Sequence, residues 1–219
     1  MRSHLALLAL LCLVMAAVPA MAQIYDNGPV NGEVDAWTIN FGFTVSDTFH
    51  LSSSATVSNI EFWAWLIPGD NITSVEVQMG AAAFGNELTD QVVLLSQSNC
   101  FSNSYGYNVC AETGNFGSPV SLNAGNYWVT LGNATVPSGD PTYWDENSGV
   151  GCQSPGCPSS AEENTIGTIP SEAFTVGGAC GAGKNSPDCG PPSPEPSSLL
   201  LFGSGIVGLA GMLRIKIRW

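Results

Sequence analysis

Chemistry at neutral pH usually needs a histidine, a partnered nucleophile, or carboxylates held in unlike environments. The 219-residue chain carries two histidines. His4 falls in an apolar N-terminal run, and His50 stands in "SDTFHLSS" at the start of a strand-like stretch. A Ser-His-Asp set can be scattered along a chain, but no Gly-x-Ser-x-Gly elbow accompanies this histidine. Gly203-Ser204-Gly205 belongs to an apolar C-terminal segment. Two carboxylate pairs, Asp145-Glu146 and Glu162-Glu163, have the residue type for glycoside cleavage. Neighbours on a strand point to opposite faces, so neither pair forms an acid–base couple by itself. A lone strand histidine is more often structural. The reading is therefore non-enzymatic, and a hydrolase is the weakest of three alternatives.

Binding chemistry has more residues to draw on. "SGDPTYWDENSG" gathers Asp140, Asp145, Glu146 and Asn147. Hard oxygen donors at irregular spacing suit calcium, although the EF-hand spacing is absent. A solvated acidic loop explains the same residues. Trp63 and Trp65 share one strand face, and Trp128 and Trp144 are expected outward or in loops. Exposed indoles can stack on sugar faces, which makes these four the candidates for carbohydrate binding. The competing reading buries Trp63 and Trp65 against another sheet or a loop.

Beyond Cys12, six cysteines remain: Cys100, Cys110, Cys152, Cys157, Cys180 and Cys189. An even number in an exported chain reads as disulfides. Proximity favours Cys100–Cys110, Cys152–Cys157 and Cys180–Cys189, each closing a short polar loop. Zinc is the alternative, but the paired Cys-x-x-Cys or histidine ligands it usually needs are missing.

Strands must position these groups. "WTINFGFTV" alternates Trp37, Ile39, Phe41, Phe43 and Val45 with polar residues or glycine, which predicts one half-buried strand. "TVSNIEFWAWLI" places Ile60, Phe62, Ala64 and Leu66 on one face, with Trp63, Trp65 and Ile67 on the other. "TSVEVQM" sets Val75, Val77 and Met79 inward, and "QVVLLSQ" is a short apolar run. "SPVSLNAGNYWVTLGNA" turns Tyr127, Val129 and Leu131 inward, with Trp128 and Thr130 outward. Pro68-Gly69-Asp70, Asn123-Ala124-Gly125-Asn126 and Pro137-Ser138-Gly139-Asp140 are turn chemistry. No helical periodicity rises above noise between the ends. The expected class is all-β, an antiparallel β-sandwich of jelly-roll type.

Both ends differ from this body. Leu5 to Val18 is unbroken apolar sequence, followed by "VPAMAQ". That pattern is a signal peptide over 1–22, cut by signal peptidase before Gln23. At the other end, residues 197–213 carry no charge and, at about 1.5 Å per residue, span roughly 25 Å as a helix. That is the short end of a bilayer crossing. Arg214, Lys216 and Arg218 follow in the tail 214–219 and hold that end on the cytoplasmic side. Between them lie a β domain at 23–178 and a Gly-, Pro- and Ser-rich linker at 179–193. Residues 23–196 hold all 18 acidic side chains and a single cation, Lys184. Such a body cannot neutralise phosphates, so nucleic acid is not an expected partner.

Pro194-Glu195-Pro196, then an apolar Gly-containing helix, then a short basic end resembles a PEP-CTERM sorting signal over 194–219. Ser193 departs from the pattern, where many members carry valine. The resemblance implies an exosortase-type membrane protease as partner, removal of the tail near the Pro-Glu-Pro, and release or attachment of the body at the cell envelope. Two prolines keep the motif extended, as a protease groove requires. "LNAGNYWVTL" also resembles a strand entry common in secreted jelly-roll domains. The expectation is an exported surface or extracellular-matrix protein. Its alternative is a carbohydrate-binding module in the exopolysaccharide matrix, with calcium as the one cofactor worth testing.

Overall fold

Alternation decides the central strand. In "ATVSNIEFWAWL" Ile60, Phe62, Ala64 and Leu66 are fully buried, while Trp63 and Trp65 take the opposite face. The stretch forms β4, Ala55–Leu66. The computed structural model describes residues 22–147 and 161–180, and no helix occurs among them. The sorting segment, residues 1–21 of the signal peptide and residues 181–193 of the linker lie outside the described residues; Ala179 and Cys180, expected to open the linker, instead pair with Thr56 and Ala55 as the end of the last strand. Ahead of β4 come β1 (Ala22–Asp26), β2 (Ala36–Thr38) and β3 (Thr44–Leu51). After it come β5 (Ser74–Gly80), β6 (Thr89–Ser102), β7 (Asn108–Leu122) and β8 (Gly125–Thr135). The short strands β9 (Tyr143–Asp145), β10 (Ala161–Glu163) and β11 (Gly167–Ile169) precede β12 (Phe174–Cys180).

All pairings are antiparallel, in the spatial order β1-β12-β4-β7-β6-β5-β8-β3-β10-β11, with β9 joined to both β2 and β4. The sheet curls at β6. Its first half, to Leu94, pairs with β5, and its second half, from Leu95, pairs with β7. One arm therefore holds β1, β12, β4, β7, β9 and β2, and the other holds β5, β8, β3, β10 and β11. Side chains of both arms form one buried cluster, including Phe62, Trp144 and Phe174 from the first and Phe49, Met79 and Leu131 from the second. Tyr25 on β1 lies 5.9 Å from Phe49 on β3, ring to ring. Each such side chain stabilises the fold by about 1.5–3 kcal/mol through lost apolar surface.

The stretch Trp37–Val45 does not form the single strand its alternation predicts. It breaks at Asn40–Gly42, where Phe43 N donates to Asn40 O at 3.0 Å. Phe41 sits there at φ 58° and is 65% exposed. Trp37 and Val45 end up in different arms, on β2 and β3. Asn40 and Gly42 bracket a tight turn of the kind that joins antiparallel strands, and counting glycine as a polar position hid it. Thr130, expected outward, is buried with its hydroxyl donating to Ser46 Oγ at 2.9 Å.

Cys100 and Cys110 form a disulfide across β6 and β7, as proximity favours. It sits at a bulge: Ser98 pairs with Ala111 and Phe101 with Val109, so Asn99 and Cys100 together oppose Cys110. Asn99 takes φ 52° to make the extra step. Cys180, at the end of β12, is also disulfide-bonded. Cys152, Cys157 and Cys189 lie outside the described residues. At the β12–β4 bulge the backbones approach closely: a Cβ on Gly178 would stand 2.0 Å from the Thr56 carbonyl oxygen.

Candidate functional site

The acidic residues expected in one loop divide. Asp140 lies at one end of the β2–β9 ladder, where its backbone oxygen accepts from Asn40 Nδ2 at 3.0 Å. Asp145 and Glu146 lie at the other end, Asp145 opposite Ala36 and Glu146 one position beyond it. Extended backbone separates them, so the three do not form one calcium loop. Asp145 and Glu146 instead join residues from three other segments.

Asp145 faces the outer side of its arm. Its Oδ1 accepts from Trp65 Nε1 at 2.5 Å and from Gly32 N at 2.9 Å, and its Oδ2 accepts from Asn31 N at 2.9 Å. The carboxylate thereby pins the 27–35 loop over Trp65. Only glycine fits at 32: φ is 72°, and a Cβ would stand 2.8 Å from the Phe101 ring. Ser104 N donates to Glu33 Oε1 at 3.0 Å and ties the β6–β7 turn to the same loop. Burial pushes the Asp145 carboxyl up to about 6, against the hydrogen bonds from Trp65, Asn31 and Gly32.

Glu146 faces inward, two residues from the buried Trp144. Two other acidic residues share its row. Ala36 pairs with Asp145, which sets Asp35 opposite Glu146, and Glu146 N donates to Asp35 O at 3.1 Å. On its other side Glu146 bridges to Glu172. There Ala173 N donates to Asp145 O and Asn147 N to Ser171 O, both at 2.8 Å. Glu146 and Glu172 are thus a non-hydrogen-bonded antiparallel pair, the closer kind, with Cα atoms typically about 4.5 Å apart. Like charges directly opposite are destabilising.

Glu172 is fully buried, and neither carboxylate oxygen has a hydrogen-bond partner. Its main chain is well held: Glu172 N donates to Asp47 Oδ2 at 2.7 Å, and Glu172 O accepts from Asn27 Nδ2 at 2.7 Å and Asn147 Nδ2 at 3.1 Å. Asp47, reaching in from β3, also accepts from Asn27 Nδ2, Ser171 Oγ and Thr48 N. Burial raises the Glu172 carboxyl well above the usual range, and the charges of Asp47, Glu146, Asp145 and Asp35 push the same way. Burial, then Asp35, raises Glu146 too; the Trp37 indole opposes this without reaching hydrogen-bond geometry. No Lys or Arg occurs anywhere from 22 to 180. No three His, Cys, Asp or Glu side chains among the described residues are grouped to hold a metal ion by themselves.

Sequence reasoning reached Asp145 and Glu146 but missed Glu172, Asp47, Asp35 and Asn27. A signal was present. Val45, Asp47 and Phe49 alternate on the buried phase of β3, and Glu172, Phe174 and Val176 do the same into β12.

The tryptophans also divide. Trp144 is fully buried, with its Nε1 donating to Ala173 O at 3.0 Å, so it has no face to offer a sugar. It is a correction to the outward or loop position expected of it. Trp65 is buried beneath Tyr105, whose ring stacks on it at 5.6 Å and 24°. Trp63 is half-buried beside Phe101, at 6.1 Å. Trp128, also half-buried, lies on β8 in the other arm. Tyr105 itself is 61% exposed, and Tyr107 and Tyr143 extend the aromatic surface around Trp65.

His50 Nδ1 meets Asn126 Oδ1 at 2.7 Å across β3 and β8. Glu163 is buried and its Oε2 accepts from Thr165 N and Ile166 N, so it closes the β10–β11 turn. Comparison with family models, with curated proteins and with solved structures gives no match.

Proposed function

We propose that the chain is an exported, non-enzymatic surface or extracellular-matrix protein, sorted through a C-terminal signal of PEP-CTERM type. The carrying observation is the tail: Pro194-Glu195-Pro196, an uncharged apolar segment over 197–213, then Arg214, Lys216 and Arg218. Signal peptidase acts at the front end, and an exosortase-type protease at the tail. The body is a jelly-roll-like β-sandwich, its two arms serving as the two sheets. The disulfide between Cys100 and Cys110 suits an oxidising compartment. The hydrogen-bonding of His50 to an amide supports a structural role for that residue.

Intact mass of the native exported protein tests the proposal. The expected mass lacks 1–22 and everything beyond about Pro196, and reduction adds about 6 Da for the six remaining cysteines. A mass that retains 197–219 on all mature molecules would overturn processing and make the tail a permanent anchor.

The exposed Tyr105 favours a second reading, carbohydrate binding in the matrix. Its ring lies over Trp65 and among Tyr107, Tyr143 and the neighbouring Trp63–Phe101 pair, forming an amphipathic platform. Trp63 and Trp65 act from beneath this platform. Binding of acidic and neutral polysaccharides, followed by tryptophan fluorescence, is expected to weaken about tenfold in Tyr105→Ala, roughly 1.4 kcal/mol. Fluorescence unchanged across the whole panel would remove this reading.

A further inference from the structure

We propose that Glu146 and Glu172 bind a divalent cation of the calcium class at the inner end of the β2–β9 ladder. The argument starts from the orphaned carboxylate. An ionised carboxylate buried without partners is costly enough that proteins pair it, ligate it or protonate it. Glu172 is fully buried with both oxygens unpartnered. Its cross-strand neighbour is another buried acid, Glu146, in the closest type of antiparallel pairing. Asp35 continues the row at its exposed rim. No Lys or Arg lies between residues 22 and 180 to balance this charge.

Three features select the ion. The donors are oxygen throughout, which suits calcium or magnesium over zinc or copper. Glu172 is fully buried, which disfavours magnesium, an ion that keeps several waters. Only two carboxylates stand side by side, so backbone carbonyls and water must supply the remainder, as calcium sites allow. Asp35, at the rim, attracts the ion, and Asp47 is already satisfied by Asn27, Ser171, Thr48 N and Glu172 N. The site uses Glu146 from the acidic loop singled out in the sequence, omits Asp140, and is independent of the sorting proposal.

The test is a titration of the EDTA-treated full chain with CaCl2 at pH 7.5, read by thermal unfolding and by terbium luminescence excited through tryptophan. Trp37 and Trp144 lie on the same strands and face as Glu146. A Tm rise of about 5 °C at saturating CaCl2 is expected, with calcium displacing terbium. Glu172→Gln is expected to abolish both responses while its Tm in EDTA equals or exceeds that of the parent chain. Glu146→Gln serves as the second variant, and Asp140→Asn is expected to respond like the parent. Absence of any calcium response, or a response that survives both glutamine variants, overturns the proposal. The pair then shares a proton in place of a metal.

Discussion

Asp145→Ala is expected to lower the unfolding free energy by about 3–5 kcal/mol, because it strands three donors at once. Trp65 Nε1, Gly32 N and Asn31 N all end on this one carboxylate, at 2.5, 2.9 and 2.9 Å. Trp65 is buried and cannot turn its indole to water without opening the outer face. Each abandoned buried donor costs about 1–3 kcal/mol. Relief of repulsion with Glu146 and Glu172 offsets part of the loss and keeps the sum toward the low end. Asp145→Asn retains an acceptor for Trp65 and is expected to cost about 1 kcal/mol. Urea unfolding measures the totals. Amide exchange locates them: protection should fall across 28–34 in the alanine variant. Unchanged protection there would mean that the loop is held by other contacts, chiefly the Glu33–Ser104 bond.

The second large effect lies on the inner face of the same arm. Glu112 on β7 pairs with Phe62 and is fully buried. Gln97 Nε2 donates to its Oε1 at 3.0 Å, while Oε2 has no partner. Burial pushes this carboxyl up to about 7, and the Gln97 bond only partly opposes it. A folded-state value above the unfolded one means that the native chain binds more protons between pH 4.5 and about 7. Stability from this group is therefore complete below about pH 4.5, falls as pH rises through that window, and levels off above about 7. With allowance for screening, the loss is on the order of 2–3 kcal/mol. Glu112→Gln is expected to remove that slope and to be more stable than the parent at pH 8 by a similar amount. Parallel pH–stability curves for the two chains would show that water reaches the parent carboxylate and that its burial costs nothing.

One central strand of each arm was legible because it is buried on one face only. β4 and β5 alternate cleanly, and Ile60, Phe62, Val75, Val77 and Met79 are all buried as the alternation requires. β7 was not legible. "NVCAETGNFGSPVSL" has glycine, asparagine and serine where a strand scale expects branched or aromatic residues. Close packing explains some of them: a Cβ at Gly114 would stand 2.3 Å from Val93 Cγ1. β6 misled in the other direction, since Val92 and Leu94 in its apolar run are exposed and only Val93 between them is buried. The acidic row escaped notice because its members are 35, 146 and 172, joined by strand pairing over more than a hundred positions. Local spacing cannot report such a meeting. Asp47 could have been read, since it occupies an inward phase between Val45 and Phe49.

The placement of β12 sets a schedule. It is the last described strand, yet it lies between β1 and β4. A chain made from its N-terminus presents β4 more than a hundred residues before Phe174–Cys180 arrives to cover its edge. At a synthesis rate of about 5–20 residues per second, that is a delay of roughly 5–20 s. Throughout it, the edge of β4 and the whole of β1 are unmatched, and each is open to strands of neighbouring nascent chains. Until its last strand is in place, the first half of this chain therefore carries two open edges onto which copies of itself can add.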